Sequence, residues 1–208
     1  MTILYYIHDP MCSWCWAFAP TWEKIQQQIP EKISIKYVLG GLAPDNDEPM
    51  PKALQNQIAA YWKTIEKKVP GTRFNHDFWN ECSPKRSTYP ACRAVIATKK
   101  QKSSAENKMI NAIQTAYYLN AQNPSDLDTL ISLANTLGLN VEQFKADINS
   151  EETRNQLLQE IGFSQQIGAR GFPSLVLEQN NQHYFIPINY NDKTAVLMAI
   201  EKYSTKSA

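Results

Sequence analysis

The chain has 208 residues, of which 43% are hydrophobic and 20% charged, and its formal net charge is +1. This composition is typical of a globular protein with a sizeable core. The balanced charge gives no support for a nucleic-acid or membrane-surface partner, and no apolar run reaches the roughly 20 residues that span a bilayer. Four cysteines are too few for a disulfide-stapled scaffold, so the pair Cys12 and Cys15 needs a chemical explanation.

The first forty residues alternate between strand and helix patterns. Residues 3–7 are almost wholly apolar, as in a strand buried on both faces, and no basic or cleavable leader precedes them. We therefore expect a cytoplasmic protein, whose thiols are kept reduced. Residues 13–28 have helical spacing with a kink expected at Pro20, and residues 33–38 alternate as a strand before Gly40-Gly41. This order indicates a parallel crossover unit.

A long helical region follows the proline-rich loop at residues 43–51. Helices are predicted over residues 52–69, 90–100, 105–120, 127–137, 141–148 and 151–167. Ser125 and Asn140, each with Asp or Gln three residues later, are predicted N-caps. Gly138 and Gly168 are predicted helix stops.

The strand pattern returns after Gly171-Phe172-Pro173. Residues 175–178 and 183–186 are predicted strands joined by a tight turn at Asn180-Asn181, and a last helix is predicted over residues 192–202. The whole order is β-α-β, a large all-helical insertion, then β-β-α, so the predicted fold class is α/β.

Cys12 and Cys15 have the spacing of a thiol–disulfide pair. Cys12 falls in the first turn of a predicted helix, where backbone N–H groups lack intrahelical partners and the dipole adds about half a positive charge. Both effects stabilise a thiolate, so we expect the pKa of Cys12 to lie below the usual value of about 8.5. Cys15 lies one turn further on and is expected to be buried. Cys12 would attack a substrate disulfide, and Cys15 would resolve the mixed disulfide.

The residues around this pair include candidates for substrate binding. Trp14 and Trp16 point to different sides of a helix, so we expect Trp14 to line a substrate groove and Trp16 to join the core. His8 follows the first strand. There it either bonds to backbone or, if the chain bends back at Pro10, approaches Cys12.

Phe172 and Pro173 are further candidates for substrate binding. A proline that opens a strand cannot donate to a ladder, and tight X-Pro corners are where cis bonds occur. The Phe172 backbone would then pair with an extended peptide lying across Cys12. The alternative is a trans proline that merely starts the strand.

Three motifs together carry a resemblance to a known family. Residues 9–16 read Asp-Pro-Met-Cys-Ser-Trp-Cys-Trp, residues 89–94 read Tyr-Pro-Ala-Cys-Arg-Ala, and residues 168–173 read Gly-Ala-Arg-Gly-Phe-Pro. With the element order, they resemble the DsbA-like branch of the thioredoxin superfamily, and more narrowly its FrnE-like group of predicted protein disulfide isomerases. The resemblance implies a thioredoxin fold, with a thioredoxin-like domain at residues 1–42 and 168–208 and an inserted helical domain at residues 43–167.

The resemblance also implies an activity, which is thiol–disulfide exchange with protein or peptide substrates in a groove between Pro173 and the helical insertion. It makes Cys12 the nucleophile, Cys15 the resolving thiol and Pro173 the cis-proline. No resident cofactor is expected, and glutathione or a thioredoxin-type protein is a candidate electron donor. The direction stays open, because the cytoplasm favours reduction or isomerisation while the best-known DsbA-like proteins are oxidants.

One position departs from the pattern of this family. Many thioredoxin-like proteins keep a buried carboxylate six residues before the nucleophile, where it takes the proton of the second thiol. Here that position holds Tyr6. We expect the proton to leave by another route, through His8, Asp9 or water.

The other two cysteines leave several possibilities open. Cys82 and Cys92 are separated by nine residues, which is too far for the short-spaced pairs of a tetrahedral zinc site. They could form a second disulfide, or Cys92 could be a small hydrophobic residue in its helix. In the second case Cys82, in a polar loop, is the more plausible reactive thiol.

Two other functions are alternatives. Kappa-class glutathione transferases and hydroxychromene-carboxylate isomerases resemble this architecture, and they activate glutathione with a single hydroxyl or thiol. The presence of Cys15 argues against them, since they need no resolving cysteine. A binding protein with inert cysteines is the other alternative, and it predicts that Cys12 alkylates no faster than a free thiol.

Overall fold

A computed structural model of the chain describes residues 2–204, so Met1 and residues 205–208 of the predicted thioredoxin-like domain lie outside the described residues. The strands are β1 (Thr2–His8), β2 (Ile33–Leu39), β3 (Ser174–Gln179) and β4 (Gln182–Ile186). The helices are α1 (Ser13–Gln26), α2 (Lys52–Lys68), α3 (Phe78–Glu81), α4 (Tyr89–Gln101), α5 (Glu106–Tyr118), α6 (Leu127–Thr136), α7 (Val141–Asn149), α8 (Glu151–Gln166) and α9 (Lys193–Ser204). A 3-10 turn at Ser103–Ala105 precedes α5. Within residues 2–204, no helix is both long and apolar enough to cross a membrane.

The strands form one mixed sheet in the order β2-β1-β3-β4. β1 pairs in parallel with β2 and antiparallel with β3, and β3 and β4 form a hairpin. Asn180 and Asn181 have φ angles of 52° and 60°. Two positive φ angles are what a two-residue hairpin turn requires, which confirms the predicted turn.

The central strand β1 is buried on both faces, which explains its continuous apolar sequence. On one face, Leu4 and Tyr6 pack against side chains of α1 and α9. On the other face, Tyr5 and Ile7 pack with Phe163 near the end of α8. This packing fixes the carboxyl end of β1, from which the chain passes directly into the Cys12 loop.

The chain divides into two compact units, Met1–Gly40 with Glu160–Ala208, and Gly41–Gln159. The first contains the sheet, α1, α9 and the end of α8. The second contains α2 to α7 and most of α8. The predicted domain boundaries at residues 42 and 168 stay a prediction.

The second unit is organised around an aromatic core. Trp62 of α2 is fully buried and stacks on Phe74 with a ring-centroid distance of 4.8 Å. The Trp79 ring lies 4.9 Å away. A bidentate ion pair between Arg93 and Asp45, at 2.7 and 2.9 Å, ties the loop before α2 to α4. Large aromatic side chains thus supply much of the packing in this unit.

Most predicted helix signals are confirmed, and one is wrong. The Asn140 side chain accepts the Gln143 N–H at 3.0 Å, as an N-cap should. Gly138 and Gly168 have φ angles of 70° and 86°, as expected of helix stops. Ser125 is not the N-cap of α6, because α6 begins at Leu127 and Asp126 is its N-cap. The Ser125 hydroxyl instead donates to the Ser87 carbonyl at 2.7 Å.

Candidate active site

Cys12 lies at the junction between β1 and α1. Its N–H donates to the Asp9 carbonyl at 3.0 Å, and its own carbonyl accepts the Trp16 N–H at 3.0 Å. Cys12 is therefore the N-cap of α1, one residue before the first helical position. The side chain is only 6% exposed, and its thiol donates to the Phe172 carbonyl at 3.5 Å.

Cys15 is fully buried one turn further along α1, as the sequence predicts. All four cysteines of the chain are free thiols. Burial raises the pKa of the Cys15 thiol well above its usual range, and a hydrogen bond to Cys12 and the Cys12 charge raise it further. The Asp9 backbone N–H acts in the opposite direction by donating to the Cys15 sulfur. Cys15 is thus a buried, protonated thiol in contact with a more accessible one.

The Phe172–Pro173 peptide bond is cis and immediately precedes β3. It places the Phe172 carbonyl over Cys12, while the Phe172 ring packs on Gly40 at the end of β2. A Cβ atom built on Gly40 would lie 1.9 Å from the Cε1 atom of Phe172. The ring can occupy this position only because residue 40 has no side chain.

We expect Gly40→Ala to displace the Phe172 ring and to lower the free energy of unfolding by about 1–3 kcal/mol, as overpacking usually does. Urea unfolding measures the difference. Gly162→Ala in α8 is the matched control, since a Cβ there meets nothing within 4 Å and alanine favours a helix. If Gly40→Ala proved as stable as the wild type, the close contact between residues 40 and 172 would be wrong.

Two aromatic side chains of α1 pack against Tyr190. The Trp14 ring is half-buried and lies 5.1 Å from the ring of Tyr190, which lies 5.7 Å from that of Phe18. Burial raises the pKa of Tyr190, and the charges of the two active-site cysteines raise it further. Tyr190 belongs to no motif and was missed in the sequence. Trp16 is half-buried rather than part of the core, so that expectation is wrong.

Tyr6 and His8 are buried residues of β1 whose rings stack on one another. The His8 ring is 1% exposed and stacks on Tyr6 at 5.3 Å, while its carbonyl accepts the Gly40 N–H at 2.7 Å. His8 is therefore a buried strand-end residue, and its part in substrate binding stays a prediction. Burial raises the pKa of Tyr6 well above its usual range, and the neighbouring charges of Cys15, Tyr37 and Cys12 and a hydrogen bond with Cys15 add to the shift. Where many thioredoxin-like proteins have a carboxylate, this chain thus has a phenol that interacts with the Cys15 thiol.

Cys82 and Cys92 belong to the second unit. Cys92 is fully buried in α4, which confirms its prediction as a small hydrophobic residue. The Cys82 thiol donates to the Ala121 carbonyl at 3.0 Å. Burial raises the pKa of Cys82, and the charges of Asp126 and Glu81 raise it further. A raised pKa makes a thiol a weaker nucleophile at neutral pH, so the expectation that Cys82 is reactive is not supported.

Comparisons with known proteins agree with this geometry. A family model described as thioredoxin matches residues 5–198. A crystal structure of a candidate protein disulfide isomerase from Nitrosomonas europaea superposes with a TM-score of 0.85 at 29% identity, covering 98% of this chain and 97% of that one. The cytosolic disulfide reductase DsbM from Pseudomonas aeruginosa superposes with a TM-score of 0.74 at 22% identity, covering 97% and 94%. The resemblance to DsbA-like thiol oxidoreductases and the thioredoxin fold are thereby confirmed.

A curated relative carries a different kind of name. The ClpXP adapter protein SpxH of Halalkalibacterium halodurans is 28% identical over 182 residues, which cover 86% of this chain and 59% of SpxH. The chain thus spans less than two thirds of the length of that relative.

Proposed function

We propose that the chain, which belongs to the thioredoxin family, acts as a thiol–disulfide oxidoreductase on protein or peptide substrates. The observation that carries the proposal is the contact of 3.5 Å between the Cys12 thiol and the carbonyl that precedes cis-Pro173. The contact supports the proposal because the more accessible thiol of the pair lies beside the Phe172 backbone, which we propose pairs with an extended peptide substrate.

The proposed reaction has two steps. The Cys12 thiolate attacks a substrate disulfide, which forms a mixed disulfide and releases one substrate thiolate. Cys15 then attacks the Cys12 sulfur, which closes the Cys12–Cys15 disulfide and releases the second substrate thiolate. Thiol donors reduce this disulfide again. The reverse sequence oxidises a substrate dithiol, and isomerisation results when another substrate thiol, in place of Cys15, attacks the mixed disulfide and releases Cys12. Trp14 and the Phe172 backbone are proposed to contact the substrate next to its disulfide.

Glutathione is the proposed small-molecule thiol of this cycle, in a cytoplasmic setting. DsbM has also been solved with GSH, and that structure superposes with a TM-score of 0.73 at 21% identity, covering 97% of this chain and 95% of that one. At this identity the likeness concerns the fold alone, so glutathione use here rests on the two thiols themselves.

A second candidate function is that of a protein-binding adapter. It is favoured by the match to SpxH, which covers 86% of this chain. In an adapter, Cys12 and Cys15 need not react, and the fold would present a surface to a partner protein. Reactivity of the dithiol separates the two functions.

The experiment that tests the proposal traps the intermediate. Purified wild type, Cys15→Ser and Cys12→Ser are mixed with a protein disulfide or with oxidised glutathione, and covalent adducts are measured by mass spectrometry. We expect Cys15→Ser to accumulate a mixed disulfide at Cys12, while the wild type resolves it and Cys12→Ser forms none.

Each alternative predicts a different pattern. If Cys15→Ser turned over a glutathione-dependent small-molecule reaction as fast as the wild type, the chain would be a transferase or isomerase instead. If Cys12 reacted no faster than Cys82 in every variant, the dithiol would be inert and the adapter function would remain.

A further inference from the structure

A groove of about 450 Å³ lies beside the cis peptide bond, within the first unit. The residues that line it are Gly168, Arg170, Gly171, Ser174 and Phe185. Gly171 and Ser174 immediately flank the Phe172–Pro173 pair, and the Phe172 carbonyl accepts the Cys12 thiol at 3.5 Å. The groove therefore adjoins the backbone that we propose pairs with a peptide substrate.

Phe185 forms the apolar wall of the groove. It lies on β4 opposite Val176 of β3 and is 52% exposed. A Cβ atom built on Gly168 would lie 2.9 Å from the Cζ atom of Phe185, so the ring covers the Gly168 backbone. An aromatic ring that is held on one side and open on the other offers apolar surface to a bound molecule.

Arg170 gives the groove a positive charge that no carboxylate of residues 2–204 neutralises. Its side chain is exposed, and its guanidinium forms no ion pair or hydrogen bond in this part of the chain. The Ser174 hydroxyl already donates to the Gly171 carbonyl at 2.7 Å. The side-chain donors that the lining offers to a ligand are therefore the N–H groups of Arg170.

An arginine with free donors near an exposed aromatic ring is suited to a carboxylate side chain. A guanidinium binds a carboxylate through two parallel N–H···O hydrogen bonds, which a neutral side chain cannot match. The methylene groups of a glutamate would lie against the Phe185 ring. The net charge of +1 gives no general attraction for acidic peptides, so a preference for them has to come from a local site of this kind.

The spacing along the chain brings such a side chain close to the reacting sulfur. Arg170 is two residues before Phe172, so their Cα atoms are at most about 7.6 Å apart. In an extended peptide, side chains two residues apart point to the same face at a separation of about 7 Å. A peptide whose cysteine is held at Phe172 therefore brings a residue two positions from that cysteine to the Arg170 end of the groove.

We propose that this groove selects peptide substrates that have an acidic side chain two positions from the reacting cysteine, and that Arg170 is its specificity-determining residue. The inference rests on the proposed exchange reaction, whose substrate class it narrows. Arg170 acts in binding alone, and the chemistry stays with Cys12 and Cys15.

The test uses blocked pentapeptides, acetyl-X-Ala-Cys-Ala-X-amide, in which X is glutamate, glutamine or lysine and the cysteine carries a 2-pyridyl disulfide. The Cys12 thiolate attacks the peptide sulfur, the bond to the pyridyl sulfur breaks, and its electron pair leaves on 2-thiopyridone, which takes up a proton and absorbs light. The second-order rate constant is measured in the full chain with Cys82 replaced by serine. Each rate is divided by that of 2-mercaptoethanol with the same peptide, which removes the intrinsic effect of X on the disulfide.

We expect the glutamate peptide to react about tenfold faster than the glutamine peptide at low ionic strength, in the range of one charge-assisted hydrogen bond. The preference should shrink in about 0.5 M salt, because the site is exposed. Arg170→Gln should react equally with both peptides. Arg170→Glu should prefer the lysine peptide, since an inverted charge inverts the selection.

Lys36→Glu is the matched control, because it makes the same change in net charge. Lys36 is an exposed residue of β2, which forms the edge of the sheet opposite β4. We expect this variant to keep the preference for glutamate within about twofold, since a distant exposed charge is screened. Equal losses of preference in Lys36→Glu and Arg170→Glu would show that the overall charge decides, and would overturn the assignment of the groove.

Failure of the inference and failure of the proposed function look different. A wild type that releases 2-thiopyridone rapidly but equally from all three peptides would overturn the role of Arg170 alone. So would an Arg170→Glu variant that loses reactivity only toward oxidised glutathione, because the groove would then hold a carboxylate of glutathione. A wild type that reacts no faster than Cys12→Ser would overturn the exchange reaction and the inference together.

Discussion

Replacement of Cys12 by serine is expected to lower the rate of disulfide reduction by about 10³-fold or more. The thiolate is the nucleophile in this reaction, and a serine hydroxyl neither ionises near neutral pH nor forms a disulfide. Serine has nearly the same size, and it keeps a donor for the Phe172 carbonyl. The loss should therefore be chemical, with the fold unchanged. The rate is measured with a protein disulfide substrate and excess glutathione.

Cys82→Ser is the matched control for that measurement. Cys82 donates to the Ala121 carbonyl, and a serine hydroxyl preserves this hydrogen bond. We expect its exchange rate to stay within about twofold of the wild type, as for substitutions away from a reacting group. Equal losses in Cys12→Ser and Cys82→Ser would contradict the assignment of Cys12 as the nucleophile.

Truncation of Trp62 is expected to produce the largest loss of stability. The indole is fully buried and lies within 6 Å, between ring centroids, of Phe74, Phe78, Trp79, Tyr117 and Tyr118. Trp62→Ala removes these contacts and leaves a cavity, so we expect the free energy of unfolding to fall by about 3–5 kcal/mol. Urea unfolding followed by circular dichroism measures this difference.

Trp62→Phe is the control that separates packing from hydrogen bonding. Within residues 2–204, the Trp62 Nε1–H has no hydrogen-bond partner, so phenylalanine removes a buried polar group while keeping a ring against Phe74. We expect it to cost clearly less than alanine. A Trp62→Ala variant within about 1 kcal/mol of the wild type would show that this cluster is not the core of the second unit.

Much of the fold was readable from local patterns, because strands and helices impose different hydrophobic periods. The predicted helix at residues 141–148 and the observed α7 differ by one residue. α3 was missed because four residues are too few to show a period. Ser125 was assigned a cap that Asp126 occupies, since its partner, the Ser87 carbonyl, is distant in sequence. Long-range partners of this kind leave no local signal.

The candidate site was predictable where its residues form a motif. The spacing of Cys12 and Cys15 and the Phe172-Pro173 dipeptide are visible in the sequence. The contacts of Phe172 with Gly40 and of Tyr190 with Trp14 depend on how distant parts of the chain meet. The local hydrophobic periodicity of the sequence does not predict contacts between residues that are far apart in the chain. The full burial of Asp9 was not predictable from the sequence either, because an Asp-Pro pair is typical of an exposed turn.

The redox equilibrium of the Cys12–Cys15 pair is the most direct measurement, made in the full chain with Cys82 replaced by serine. The protein is equilibrated in glutathione and dithiothreitol buffers, the Trp14 and Trp16 fluorescence is recorded, and peptide mass mapping locates any disulfide. We predict a single two-electron transition between about −270 and −120 mV, the span from thioredoxin to DsbA, with Cys12 bonded to Cys15 on the oxidised side. Two free thiols at every buffer ratio would contradict the assignment of these residues as a thiol–disulfide couple.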